Sequence, residues 1–489
     1  MPNRSLPLSL GLLLSVLTAM SPSAAQSILL PDIGDPAQAY FSSNEEQQLG
    51  LEIMRRLRQH DRVIDDVQLN EYIHSIGQRI AAYTDQHHVP FQFFMLRDSS
   101  INAFALPYNF VGINIGLLLA TQREDELAGV IAHEIAHISQ RHIVRAIADT
   151  RRLTLPIAAA MIASAALATA HPQAGQAAMA TTMATSAQHQ ISFTRANEQE
   201  ADRIGIQLLA KSGFDPAGMT DFFLKMERLA GGSNNNQIPE ILLTHPRPAS
   251  RVADTRHRIN TPARQRGTLH DHKAYYLAKA RARVLIAEDT HTLLQNIKTR
   301  LTRGDFNHKT AERYAYTLAL RQSGRYDEAW QQINRLLKHD PDRLAFRIEA
   351  AEIALAQNNR ALAWNLFEKT RQLYPDDFTL AIHYSRALTI QEGDPGKAMR
   401  LLRPHLRRRS NNLLLYETYA QAAQRAGDRV ATHATMAEYH YLNGEQQAAI
   451  EQLEIGLKKP GLSPNQEARL RARLKQIKAE AGTRNSSPK

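Results

Sequence analysis

Three residues set the chemistry open to this chain: His133, Glu134 and His137. They stand in Glu126-Leu-Ala-Gly-Val-Ile-Ala-His-Glu-Ile-Ala-His-Ile138, a run that is otherwise almost wholly apolar. On a helix, residues four apart share a face, so the two histidines can aim their imidazoles at one metal ion. Glu134 then stands beside the ion, placed to act as a base on a water. A buried apolar helix seldom carries three ionisable groups without a reason. The spacing therefore implies metal-assisted hydrolysis, with zinc as the metal. The bland alternative is two surface histidines and a solvated glutamate.

Such a centre needs a third ligand. One known pattern puts a histidine ten residues after the first, with a glycine between, but those positions hold Ile143 and Gln140. His142 is one residue short. On a continuous helix it lies about 140° round from His137, so it reads as a surface or supporting residue. The other pattern takes a glutamate from a later helix. The segment Arg195–Gly205 supplies it, with Glu198 and Asp202 four apart on one face. Glu198 can bind the metal while Asp202 orients a ligand histidine through its free ring nitrogen. Glu200 points elsewhere, to solvent or an arginine. Alone, Glu198 would be an ordinary surface acid; the upstream histidine pair gives it a purpose. One zinc per chain, held by His133, His137 and Glu198, leaves a place for water and lowers its pKa toward about 7. Glu134 takes the proton and later returns it to the leaving amine of a peptide.

The motif His133-Glu134-x-x-His137 followed by Glu198-x-x-x-Asp202 resembles the Ste24-type zinc metallopeptidases, which include mitochondrial and periplasmic quality-control enzymes. The resemblance spans residues 40 to 260. It includes Asp98-Ser-Ser-Ile-Asn-Ala-Phe-Ala-Leu-Pro107 ahead of the motif and Thr244-His245-Pro246-x-Pro248-x-x-Arg251 behind it. In the family the first segment leads into an edge strand beside the site. The resemblance thus implies that substrate pairs as a strand near Asn102, Ala103, Phe104 and Ala105, which recognises backbone rather than sequence. It also places His245 and Arg251 near the site. Either could stabilise the oxyanion of the tetrahedral intermediate. Alternatively, His245 could be a fourth zinc ligand that keeps the enzyme latent, or simply a loop histidine. The family carries a Gly pair after Leu-Pro where this chain has Tyr108-Asn109-Phe110, which puts that turn in question.

The elements that must position these residues are mainly helical. The chain's 489 residues allow two or three domains. Arg4 and the apolar Leu6–Ala19 precede Ser23-Ala24-Ala25, the pattern of a signal peptide cleaved after Ala25, with an uncleaved anchor as the alternative. An HExxH domain with a small β-sheet is expected over 26–265, an α-solenoid over 270–480 and a disordered tail over 481–489. Cysteine is absent, which excludes disulfides and lipid attachment at a cysteine, and suits an oxidising compartment. The net charge is +11. In an exported chain this excludes nucleic acid as partner and suits peripheral contact with anionic lipid headgroups or acidic proteins. The densest basic run, Arg403–Arg409, reads as a solvated face. Leu153–Ala170 and Ala174–Ala187 are Ala-rich and broken at His171–Gly175, the pattern of a helical hairpin. It would pack between the two metal-binding helices as a mobile cover, or dip into a membrane surface or partner.

From Ala274 the chain turns to helical spacing with an internal repeat. Pro341 and Pro375 are 34 residues apart, as are Ala329 and Ala363, and Ala398 follows at 35. That period belongs to tetratricopeptide helix pairs, whose stacks hold peptides or partner proteins. With these repeats, the resemblance implies a periplasmic zinc endopeptidase of misfolded or stalled outer-membrane β-barrel proteins. It would also assist their assembly, with the repeats contacting the outer-membrane assembly machinery. The competing readings are a chaperone or scaffold with a mostly latent metal site, and a general degrader of unfolded periplasmic proteins.

Overall fold

A computed structural model describes residues 41–85, 89–170, 172–232, 239–245, 272–390 and 392–485. The expected signal peptide, Arg251 and the last four residues lie outside the described residues. The N-terminal unit begins with α1 (Ser43–Gln59) and α2 (Val67–Ala81). A three-stranded sheet follows, of β1 (Gln92–Leu96), β2 (Ala103–Leu106) and β3 (Phe110–Asn114). Then come α3 (Ile115–Ala120), α4 (Glu124–Ser139), α5 (His142–Ala170), α6 (Pro172–Lys211), α7 (Ala217–Gly232) and α8 (Glu240–Thr244). The architecture is mainly α with one small sheet, as the sequence implies.

The motif helix α4 is buried from Glu124 to Ile138. Three acids in its first turn, Glu124, Asp125 and Glu126, favour the positive end of the helix dipole. Two glycines let its neighbours come close. A Cβ at Gly129 would meet the Met219 backbone of α7 at 2.6 Å, and one at Gly205 of α6 would meet the Met219 side chain at 2.7 Å and Ala132 of α4 at 3.3 Å. These approaches set α6 against the motif, so that its acids reach the histidines.

The sheet runs β1-β3-β2, with β1 parallel and β2 antiparallel to β3. The outer side of β1 is closed: Ile64 N–H donates to Met95 O at 2.9 Å, and Met95 N–H donates to the Asn70 side chain at 3.2 Å. The opposite edge is β2. Asn114 N–H donates to Asn102 O at 3.0 Å, so residues 102, 104 and 106 turn their backbone groups to β3. Ala103 and Ala105 turn theirs outward. Between β2 and β3, Tyr108 (φ 65°) and Asn109 (φ 60°) both adopt the left-handed conformation. The turn therefore forms without the family's glycines. Asn109 pins it by donating to Val89 O at 2.6 Å, and Gln47 donates to the Tyr108 hydroxyl at 3.0 Å.

The Ala-rich stretch is two helices packed along each other. Its second arm is not a separate piece between metal-binding helices: α6 runs unbroken from Pro172 through Glu198 and Asp202 to Lys211. No helix of the described residues is long and apolar enough to cross a membrane.

The C-terminal array comprises α9 (His272–Leu285), α10 (Thr290–Arg303), α11 (Lys309–Gln322), α12 (Tyr326–His339), α13 (Leu344–Ala356) and α14 (Arg360–Leu373). It continues through α15 (Phe378–Thr389), α16 (Pro395–Arg408), α17 (Leu413–Arg425), α18 (Arg429–Leu442), α19 (Gln446–Leu457) and α20 (Pro464–Asn485). Ala329, Ala363 and Ala398 are fully buried, where paired helices meet. The last helix runs on to Asn485, into the stretch expected to be a disordered tail, because nothing before that point ends its hydrogen-bonding pattern.

The array does not offer its whole surface to partners, because the chain's own α1 and α2 lie against it. Arg281 of α9 grips Asp66, the N-cap of α2, at 2.7–2.8 Å. Arg409 holds Glu71 through two bonds of 2.5 and 2.7 Å and stacks on Phe378. Arg58 donates to Leu442 O at 3.0 Å. Arg409, the end of the basic run, is thus a strut between domains rather than part of a solvated face. Helix α9 serves both cores: Tyr275, Ala278 and Ala282 pack into the N-terminal unit, while Leu277, Ala280 and Val284 pack among the repeats.

Candidate metal centre

His133 and His137 lie on one face of α4, with Nε2 atoms 3.0 Å apart. Glu198 reaches across from α6, 3.3 Å from His133 Nε2 and 3.2 Å from His137 Nε2. His245, the residue that ends α8, brings Nδ1 to 3.0 Å from Glu198 and 3.3 Å from His133. All four are buried, and their donor atoms lie within 4.8 Å of one another. Helix α8 is placed by the segment before the edge strand. Ile241 N–H donates to Ile101 O at 3.2 Å, and Thr244 donates to the Asn102 side chain at 3.4 Å.

Glu134 sits between this cluster and β2. It accepts from the outward-facing N–H of Ala105 on β2. Its Oε1 is buried without a hydrogen-bond partner among the described residues, with His245 Nε2 at 3.5 Å. Burial pushes its carboxyl above the ordinary range, against the pull of His245 and His133. Such a carboxylate is a stronger base than a solvated one.

The electrostatics of the ligand side follow from burial and mutual hydrogen bonding. Burial opposes charge on His133, yet its hydrogen bonds with Asp202 and Glu198 carry it up to about 9. Burial holds His137 down to about 3. Burial alone would raise Glu198, but the imidazoles of His133, His137 and His245 around it hold it well below the usual carboxylate range. A set of three imidazoles and one carboxylate whose donor atoms converge within 4.8 Å fits zinc.

Behind the cluster, Asp202 lies 3.1 Å from His133 Nδ1. His142 is not on the surface; it is buried, with Nδ1 3.0 Å from His137 Nδ1. The helical projection fails because α4 ends at Gln140 and Arg141 takes a left-handed φ of 55°. That break swings His142 back over His137. Glu200 is paired with His142, Arg145 and Arg203. Only the recurrence of a histidine five residues after His137 hinted at this contact.

The geometry has counterparts in known proteins. The model of peptidase family M48 matches residues 67–259, and a tetratricopeptide repeat model matches residues 310–353. The chain is 34% identical over 460 residues to the beta-barrel assembly-enhancing protease of Escherichia coli, covering 94% of this chain and 93% of that protein. The chain belongs to peptidase family M48. This is the Ste24-type family that its motifs resemble. A putative beta-barrel assembly-enhancing protease of Vibrio cholerae is also 34% identical, over 93% of this chain and 94% of its own length. The mitochondrial metalloendopeptidase OMA1 of Schizosaccharomyces pombe matches 37% of this chain and half of its own, at 29% identity. As an M48 peptidase the chain is a zinc metallopeptidase, and its four-donor cluster is able to bind the metal. The tetratricopeptide model covers part of the helical array, from the start of α11 into α13.

Proposed function

We propose that the chain is a periplasmic endopeptidase that cuts misfolded or stalled outer-membrane β-barrel proteins and assists their assembly. The observation that carries this reading is the link between base and edge strand: Glu134 accepts the Ala105 N–H beside four convergent donors. His133, His137 and Glu198 hold the zinc, which supplies Lewis acidity toward a water and a peptide carbonyl. Glu134 takes the water's proton and passes it to the leaving amine. The outward N–H groups of Ala103 and Ala105 are taken by the Asn102 side chain and by Glu134, which leaves their outward carbonyls to pair with an extended chain or unpaired β-strand as substrate. The beta-barrel assembly-enhancing relatives support a β-barrel substrate. The signal-like residues 1–25 support export, and the repeats support docking to the assembly machinery.

The test is paired: zinc content, and cleavage of an unfolded β-barrel precursor by wild type and Glu134→Gln. One zinc in both proteins, with cleavage by the wild type alone, is the expected result. Cleavage by Glu134→Gln at the wild-type rate would sink the assignment. His245 is a fourth donor that keeps the site latent, a reading supported by its 3.0 Å approach to Glu198. His245→Ala then gains activity; a loss would instead give it a role in the reaction.

A further inference from the structure

The two histidines of α4 are held from behind in different ways. Behind His133, Asp202 meets Nδ1 directly at 3.1 Å. Behind His137 stands a second imidazole. His142 Nδ1 lies 3.0 Å from His137 Nδ1, and His142 Nε2 lies 3.1 Å from Glu200 Oε2. His142 is 3% exposed, while Glu200 is flanked by Arg145 at 3.4 Å.

Donor and acceptor counting gives this chain a direction. An ionised carboxylate accepts only, so His142 Nε2 must carry the proton it donates to Glu200. A neutral imidazole has one N–H, so His142 Nδ1 is then an acceptor. The hydrogen on the other side must come from His137 Nδ1. That leaves His137 Nε2 with a bare lone pair, aimed at the four-donor cluster. The reverse polarity would put a proton on His137 Nε2 and close it to a metal. Glu200 therefore selects, through His142, the tautomer of His137 that can bind one.

We propose that Glu200 and His142 form a positioning relay that fixes the tautomer and ring orientation of His137, as Asp202 does for His133. The inference rests on the reading of His137 as a metal ligand. The backbone is built for the contact. Arg141, a non-glycine residue, holds φ at 55°, a left-handed conformation that L side chains rarely adopt. It is secured by a 3.1 Å bond from its guanidinium to Glu46. Without that left-handed step α4 would continue, and His142 would point about 140° away from His137.

The test uses the full chain and two readouts that need no substrate: the zinc dissociation constant by chelator competition, and the visible spectrum of the cobalt-substituted protein. His142→Leu removes the acceptor and is expected to weaken zinc binding about ten- to a hundredfold, with an altered cobalt spectrum. His142→Asn returns an amide oxygen near the position of Nδ1 and is expected to restore most of both. Glu200→Gln keeps the shape but not the enforced direction, and is expected to fall between. Wild-type affinity and spectrum in His142→Leu would overturn the relay. So would a His142→Asn that folds normally yet binds as weakly as His142→Leu. If His142→Leu does not fold, His142→Asn and Glu200→Gln decide: both matching wild type in affinity and spectrum overturns the relay, whereas weakened binding in Glu200→Gln upholds it. His137→Ala is the control. Zinc retained in that variant overturns the ligand reading, and the relay with it; zinc lost there but unchanged in His142→Leu overturns the relay alone.

Discussion

Asp66 meets Arg281 at 2.7 Å where the repeats touch α2, and His133 meets His137 at 3.0 Å in the metal centre. Both regions bury ionisable groups, and both displace their pKa values strongly. Burial works against ionised Asp66, but Arg281 prevails and holds its carboxyl low; hydrogen bonds from histidines do the same for Glu198. Perturbation alone therefore does not tell a site from a strut. The difference lies in pairing. Along the interdomain seam two acids meet their own bases, Asp66 with Arg281 and Glu71 with Arg409, as within the repeats Glu349 meets Arg321 at 2.5 Å. In the metal centre three ring nitrogens face one another around a single carboxylate, and Glu134 Oε1 has no hydrogen-bond partner among the described residues. A strut is complete as it stands, whereas the centre needs a cation to be complete.

The sharpest way to break this contrast is at the seam. Arg281→Ala leaves Asp66 buried without its partner and is expected to cost about 3–5 kcal/mol in chemical denaturation. Zinc content should not change. Loss of zinc in that variant would mean that the two regions are coupled rather than distinct. Metal removal tests the other side. At a hundred times its dissociation constant, zinc should stabilise the wild type by about 2.7 kcal/mol, and chelation should remove that gain. His133→Ala should show no such shift on calorimetry. An equal shift in His133→Ala would move the metal elsewhere.

The smallest effect is a pH slope at the seam. His74 faces Arg409 and lies in the 670 Å³ cavity between α2, β1 and the turn after α16. Burial, then Arg409, holds it down to about 4, below the ordinary 6.5. Its folded-state pKa is depressed, so its contribution is fully present above pH 6.5 and is lost as pH falls through 4. The shift corresponds to about 3 kcal/mol, which the ring's partial exposure reduces to a decline on the order of 2 kcal/mol over that window. His74→Gln should flatten the decline in denaturation curves taken at successive pH values. An unchanged slope would place the titrating group elsewhere.

The parts of the molecule legible in the sequence are those that depend on local spacing. His133 and His137 share a helical face by arithmetic, and so do Glu198 and Asp202. His142 was not legible as a buried contact, because the projection assumed that α4 continues through Arg141. Long-range partners were hidden too: Arg409 reads as one more solvated arginine until Glu71, 338 residues away, is set against it. The repeats were only half visible for a backbone reason. Residues 324, 358, 392 and 427 recur at the repeat spacing, and all take a left-handed φ between 59° and 77°. Glycine stands at the first and last, but Asn358 and Glu392 occupy the other two. A search for glycine turns therefore misses half of a geometry that the chain repeats faithfully. The same holds between β2 and β3, where Tyr108 and Asn109 make a turn usually left to glycine.

Helix α6 is 40 residues of one unbroken rod. At 1.5 Å per residue it is about 60 Å long. Glu198 and Asp202 stand about two-thirds to three-quarters of the way along it, and the Ala-rich arm forms its N-terminal part. A helix of this length transmits tilt as a beam does. Whatever grips the Ala-rich arm of the hairpin holds the long end of a lever whose short end carries a carboxylate of the four-donor cluster.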